Sequence, residues 1–206
     1  YQVLKAGGSA LDAAIAVQMV LSLVEPQSSG IGGGAFLMHW DGRSIAAWDG
    51  RETAPSAADE RLFVLPDGKP MAFMDAVVGG RSVGVPGAVR MLEAAHKQQG
   101  QLPWATLLQP AITLAEQGFR MSPRLHTLLE TETALKNDAQ ARAYFYAADG
   151  KPHAVGTLIK NPAFADVLRA IASQGSVALH GGAVGNDIVR RVRGHATNPG
   201  AMSAAD

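Results

Sequence analysis

Residues Leu11 to Val24 are apolar on almost every side of a helix, with Gln18 and Ser22 four apart on the one polar stripe. A helix without a wet face has to lie in a core, so the rest of the chain must supply elements that cover it. Ser9 is a suitable N-cap, and Asp12 three residues on places a carboxylate where helix-end amides lack partners. Glu25-Pro26 stops the helix, because the residue before a proline disfavours helical geometry. The run is too short to cross a bilayer, which takes about 20 apolar residues.

A polar, glycine-rich loop, Gln27 to Gly34, follows. Ala35 to Trp40 and Ser44 to Trp48 then flank Asp41-Gly42-Arg43, a hairpin signal because Asp and Gly tolerate the backbone of a tight turn. A charged loop, Asp49 to Pro55, leads to a short helical piece ending near Phe63 and a turn at Pro66-Asp67-Gly68-Lys69-Pro70. From Pro86 the period becomes helical, with Val89, Leu92 and His96 on one face as far as Gly100. Further helices are expected from Pro103 to Gly118, from Leu125 to about Tyr146 with Ser122-Pro123 starting it, from Asn161-Pro162 to Gly175 and from Ala183 to Arg193. Strands mostly in the first half and helices in the second indicate an α+β fold. No repeat or long linker divides the 206 residues, so 1–206 is read as a single domain.

Composition narrows the chemistry. The chain is 47% hydrophobic and 17% charged, too apolar and too weakly charged for disorder. Lys plus Arg and Asp plus Glu are 18 each, which leaves no basic field for nucleic acid or anionic lipid. With no cysteine there is no disulfide, thiolate metal site or cysteine nucleophile. His39, His96, His126, His153, His180 and His195 form no i, i+4 pair, so no metal site is expected. Gly30-Ile31-Gly32-Gly33-Gly34-Ala35 has dinucleotide-loop spacing, but the order is helix, loop, strand, and no helix N-terminus would meet a pyrophosphate. Close backbone packing is the better reading of these glycines, and no cofactor is expected.

Gly80-Arg81-Ser82-Val83-Gly84 fits the pattern of a hydrolase nucleophile elbow. Asp149 with His153 or His180 would satisfy the order of a triad, yet nothing local supports that choice, and a structural turn before the Pro86 helix is preferred. More informative is Asp49-Gly50-Arg51-Glu52-Thr53-Ala54-Pro55. An arginine between two carboxylates, on a loop leaving a hairpin, can present its planar fork to a ligand carboxylate. The competing reading is a solvated loop with local ion pairs worth at most about 1 kcal/mol. These seven residues leave both readings open.

The segments Gly7-Gly8-Ser9-Ala10-Leu11-Asp12-Ala13-Ala14-Ile15-Ala16, Glu25 to Gly34, Asp49 to Pro55, Arg81-Ser82-Val83-Gly84-Val85-Pro86-Gly87 and Gly100-Gln101-Leu102-Pro103-Trp104-Ala105 occur in one order. Together they make the chain resemble the large subunit of γ-glutamyltranspeptidases, members of the N-terminal-nucleophile hydrolase superfamily. The tail Asn198 to Asp206 looks like a later segment of the same subunit and like the opening of another helix. Tyr1 in place of an initiator Met and this tail suggest an incomplete large-subunit fragment, with the small subunit absent.

The resemblance implies part of a four-layer αββα sandwich and a precursor that cuts itself. The new N-terminal threonine of the small subunit would attack a γ-glutamyl amide, its free α-amine serving as base. No catalytic residue is therefore expected in this chain, and by resemblance Arg51 grips the α-carboxylate of the γ-glutamyl group. Asp49 and Glu52 either hold the guanidinium or solvate the loop. The implied partners are the small subunit, a γ-glutamyl substrate such as glutathione, and an amino-acid, peptide or water acceptor. The implied compartment is periplasmic or extracellular. The alternatives are a glutaryl or cephalosporin acylase of the same superfamily and a non-catalytic structural module.

Overall fold

The computed structural model describes residues 1–206. In chain order the elements are α1 (Gln2–Lys5), α2 (Ala10–Val24), β1 (Ala35–Trp40), β2 (Ile45–Gly50), α3 (Phe73–Val77), α4 (Ala88–Gln99), α5 (Trp104–Gln117) and β3 (Phe119–Arg120). They continue with α6 (Pro123–Thr131), a 3₁₀ turn (Ala134–Asn137), α7 (Ala139–Phe145), β4 (Leu158–Ile159), α8 (Pro162–Gln174), α9 (Val177–His180) and α10 (Gly182–Arg193). The mixture is α+β, and its longer strands fall in the first half. Two compact units emerge, each made of two separate stretches of chain: Tyr1–Gly30 with Gln101–Ala172, and Ile31–Gly100 with Ser173–Asp206. Neither unit is continuous in sequence, so no linker marks them. No helix is long and apolar enough to cross a membrane.

In the first unit α2 packs on α5, burying Leu11, Ile15, Met19 and Leu23 with Leu107, Leu108 and Ile112. The expected cap is present as a reciprocal box: Asp12 N–H donates to Ser9 Oγ at 3.1 Å and Ser9 N–H to Asp12 Oδ2 at 2.8 Å. The same carboxylate accepts the N–H groups of Gln101 at 3.1 Å and Leu102 at 3.2 Å, fixing the chain just ahead of α5. Trp104 Nε1 donates to Ile171 O at 3.0 Å and ties α5 to α8.

The single helix expected from Leu125 to Tyr146 is broken. Glu132 Oε1 accepts Ala134 N–H at 2.6 Å, and Asp138 Oδ1 accepts Ala141 N–H at 2.7 Å as the cap of α7. These side chains offer the backbone local acceptors that compete with helical ones, and helical periodicity does not register that competition.

In the second unit β1 and β2 form an antiparallel hairpin with Ala35 opposite Gly50 and Trp40 opposite Ile45. Asp41 Oδ1 accepts the N–H groups of Arg43 and Ser44 at 2.8 Å each, and Gly42 takes φ +99°, closing the turn read from Asp-Gly. One face, with Leu37 and Trp48, is partly covered; the other carries exposed Phe36, Met38, Trp40 and Ile45. The helix α4 packs on β2 through a buried face of Val89, Met91, Leu92 and Ala95.

Two local expectations change here. The second strand runs on through Asp49 and Gly50, which belong to the ladder rather than to the loop. The helical piece before Phe63 is a series of turns, one stabilised by Asp59 Oδ1 accepting Arg61 N–H at 2.9 Å. A short helix lies later, at Phe73–Val77.

Candidate substrate-binding site at the hairpin exit

Arg51 is the first residue after β2. Its backbone N–H donates to Asp49 Oδ1 at 2.9 Å, an Asx turn that swings the chain out of the ladder. Two residues on, Thr53 bridges Val85, whose N–H donates to Thr53 O at 2.8 Å. Beyond the turn, Ser56 N–H donates to Asp206 Oδ1 at 2.8 Å. The loop is therefore held by backbone bonds on both sides of the arginine.

Glu52 sets the head group. Its Oε2 pairs with Arg51 Nη1. The Glu52 side chain is 27% exposed and lies where two glycines leave room: a Cβ on Gly34 would stand 2.7 Å from Glu52 N, and one on Gly84 would stand 2.8 Å from Glu52 Cβ. The glycine-rich loop packs closely at Gly34, as the helix-loop-strand order indicated, while Gly32 has open space around it. The loop also anchors α4, since Gly33 O accepts the N–H groups of Gly87 at 3.1 Å and Ala88 at 3.0 Å.

The Arg51 side chain is 64% exposed on the wall of a cavity of about 310 Å³, which Asp49, Arg90, Val85, Pro86 and Asp206 also line. That is the lower end of the size range of small-molecule clefts. A guanidinium has five donors in a planar fork, and only Nη1 is engaged here, leaving the Nε and Nη2 edge for two parallel bonds to a carboxylate.

The acidic side chains around the cavity do not cancel this. Asp49 is turned to the Arg51 backbone, and Asp206 is turned to the N–H groups of Ser56 and Ser203, which with Ser56 first hold its carboxyl far below the usual carboxylate range. Arg90, on α4, has no ion-pair partner. After burial, its charge is the second cause that pushes the His180 imidazole below its ordinary value. Both carboxylates stay charged, so Arg51 and Arg90 balance Asp49 and Asp206 around the cavity, and it is the free edge of the Arg51 fork that offers unused donors.

The structure resolves the alternative left open for the acidic neighbours: Asp49 holds the backbone and Glu52 the guanidinium. Ser82 is in a turn rather than a strand-to-helix elbow, and its Oγ donates to Val77 O at 2.7 Å. Gly80 and Arg81 beside it donate their N–H groups to Asn198 O, as a packed structural turn would. Sequence reasoning overlooked Arg90 and Asp206. The Ser203-x-x-Asp206 spacing was the visible signal for the second, because it repeats Ser9-x-x-Asp12.

The chain is 36% identical over 182 residues to a glutathione hydrolase proenzyme of Bacillus subtilis, covering 87% of this chain and 31% of that protein. It is 36% identical over 213 residues to an acylase proenzyme (ACY 1) of a Pseudomonas species, covering 100% of this chain and 37% of that one. The γ-glutamyltranspeptidase structure of Helicobacter pylori superposes with a TM-score of 0.92 at 30% identity, over 100% of this chain and 58% of that chain. The chain spans 29%, 32% and 31% of the length of three curated relatives that it matches. The profile of the γ-glutamyltranspeptidase family matches residues 1–206, and the chain belongs to that family.

Proposed function

We propose that this chain is the donor-gripping part of the large subunit of an enzyme that transfers or hydrolyses the γ-glutamyl group of glutathione and related amides. One observation carries the reading: a half-engaged guanidinium, on a loop held on both sides of it, at the wall of a small cavity. A γ-glutamyl group ends in an amino-acid head distal to the scissile amide. Bidentate capture of its α-carboxylate by Arg51 orients the γ-carbonyl, and orientation converts binding into rate.

Bond breaking belongs, in this reading, to the N-terminal threonine of a small subunit released from the same precursor. Its Oγ attacks the γ-carbonyl and its α-amine takes the proton, which passes to the departing amine. The γ-glutamyl ester then goes to an amino acid, a peptide or water. Residues 1–206 hold substrate and are inactive alone. They contribute the β1–β2 hairpin and outer helices to an αββα sandwich.

The test is Arg51→Ala in the complete, processed enzyme. KM for γ-glutamyl donors should rise about tenfold to a hundredfold, the scale of losing hydrogen bonds to a charged group, while self-cleavage proceeds. Unchanged kinetics would remove Arg51 from the role. The whole-chain match to an acylase proenzyme supports a second reading, in which the same fork takes the terminal carboxylate of a glutaryl group. Comparison of kcat/KM for γ-glutamyl and glutaryl amides separates the two, since only the first substrate carries an α-amine.

A further inference from the structure

Each unit contains a Ser-x-x-Asp turn, closed as a reciprocal box in the first, whose aspartate reaches beyond that turn. In the first, Asp12 closes the box on Ser9 and also takes the N–H groups of Gln101 and Leu102. In the second, Asp206 Oδ2 accepts Ser203 N–H at 2.7 Å and Ser203 Oγ at 3.0 Å, while Oδ1 accepts the N–H of Ser56, 150 residues away, at 2.8 Å. Ser56 stands five residues beyond Arg51 and second in the turn that Ala58 N–H closes on Pro55 O at 2.8 Å.

We propose that Asp206 is a positioning residue for the donor site: by holding the Ser56 N–H it fixes the loop that aims the Arg51 fork into the cavity. The inference rests on the reading of Arg51 given above. The loop leaves β2 anchored at Asp49 and is pinned at Thr53 by Val85. Past Thr53, Asp206 supplies the side-chain acceptor for the turn at Ser56, and it lines the same cavity as Arg51. Both oxygens are engaged by N–H donors, which favours the ionised form and makes the acceptor a charged one. A charged acceptor at the far end of the loop limits how far the guanidinium can drift from a bound carboxylate, and a fork free to drift gives up part of its two-bond grip and so binds the donor more weakly.

The test uses the full-length processed enzyme and steady-state kinetics with γ-glutamyl-p-nitroanilide. Asp206→Asn should raise KM about tenfold with kcat within about twofold, and should add nothing further on an Arg51→Ala background. Asp12→Asn breaks the Ser9–Asp12 box in the other unit, so it should lower Tm while leaving KM unchanged. Ser56→Pro deletes the N–H and the hydroxyl that Asp206 accepts while leaving Asp206 in place, at a turn position where proline fits, and should reproduce the KM effect.

Arg51→Ala alone reports on the donor reading. If it leaves KM unchanged, that reading fails. If it raises KM but Asp206→Asn does not, or if the two effects multiply, the positioning role fails by itself. A loss confined to Tm or to kcat would also overturn it, as would failure of both Asp206→Asn and Ser56→Pro to yield processed protein.

Discussion

At Asp12 a carboxylate has left water altogether: it has no exposed surface, and backbone N–H groups surround it. Burial works against ionisation there, but the bonds from Ser9, Gln101 and Leu102 outweigh it and pull the folded pKa below the ordinary value. A depressed folded pKa means that the contribution to stability is complete above the unfolded pKa, about 3.9 for Asp, and is lost as pH falls through the folded value. Asp12→Asn should therefore cost about 2 kcal/mol at pH 7, the scale of hydrogen bonds to a charged group, with the gap between wild type and variant closing below about pH 4. Chemical denaturation at pH 7 and pH 3 checks this. A gap that does not change with pH would mean that the charge is not what matters. The surface pairs of Asp187 with Arg190 and Arg191 are worth far less, because exposed pairs lie near 0–1 kcal/mol, about the scale of noise in such measurements. At this scale the contacts of Arg51 with Asp49 and Glu52 could be anticipated, because those carboxylates are its neighbours in sequence, while the seven residues alone left a ligand site and a solvated loop equally open. The role of Asp206 could not be anticipated, because its partner is a backbone N–H that carries no residue type.

Among the elements, the junction of β2 with α4 places the site. A Cβ on Gly50 would meet Met91 Cβ at 2.5 Å, and one on Gly87 would stand 2.8 Å from Arg51 O and run into Gly50 O. Two missing side chains let the first turn of α4 lie directly on the strand end that carries Arg51. Gly87→Ala should cost about 1–3 kcal/mol through overpacking and should also raise KM for the donor, since the strand end is what must move. A Tm loss with unchanged KM would detach the helix contact from the site. Helix starts were readable because capping is local: Ser9 with Asp12, Ser122 with Pro123, and Asn161 with Pro162 all mark real boundaries. The break between α6 and α7 was hidden, since Glu132 and Asp138 sit where a helical pattern would place polar residues anyway. The extra length of β2 was hidden too, because Asp49 and Gly50 look like loop residues and join the ladder through pairing with Phe36 and Ala35.

For the molecule as a whole, the hairpin shows an imbalance. Its inner face is partly covered, while Phe36, Met38, Trp40 and Ile45 stand 60–71% exposed in register on the outer one, with Trp40 directly opposite Ile45. Aromatic and branched side chains paired across strands fit a half-buried pleated surface, and contiguous apolar patches of this kind mark surfaces that meet something. The chain spans about a third of the length of its curated relatives, and the proposed sandwich would lay a second sheet on this face. The two possibilities differ in the size of the effect at one residue. If Met38 faced water in the complete protein, Met38→Asp would change stability by no more than about 0.5 kcal/mol, as surface substitutions do. Beneath a second sheet it would bury an unpaired carboxylate, and the complete protein should lose about 3 kcal/mol or more and yield little processed enzyme. Thermal unfolding of the full-length variant, with its processing followed on a denaturing gel, decides between them. A neutral result would leave the hairpin at the surface and remove the sandwich as the setting of the Arg51 site.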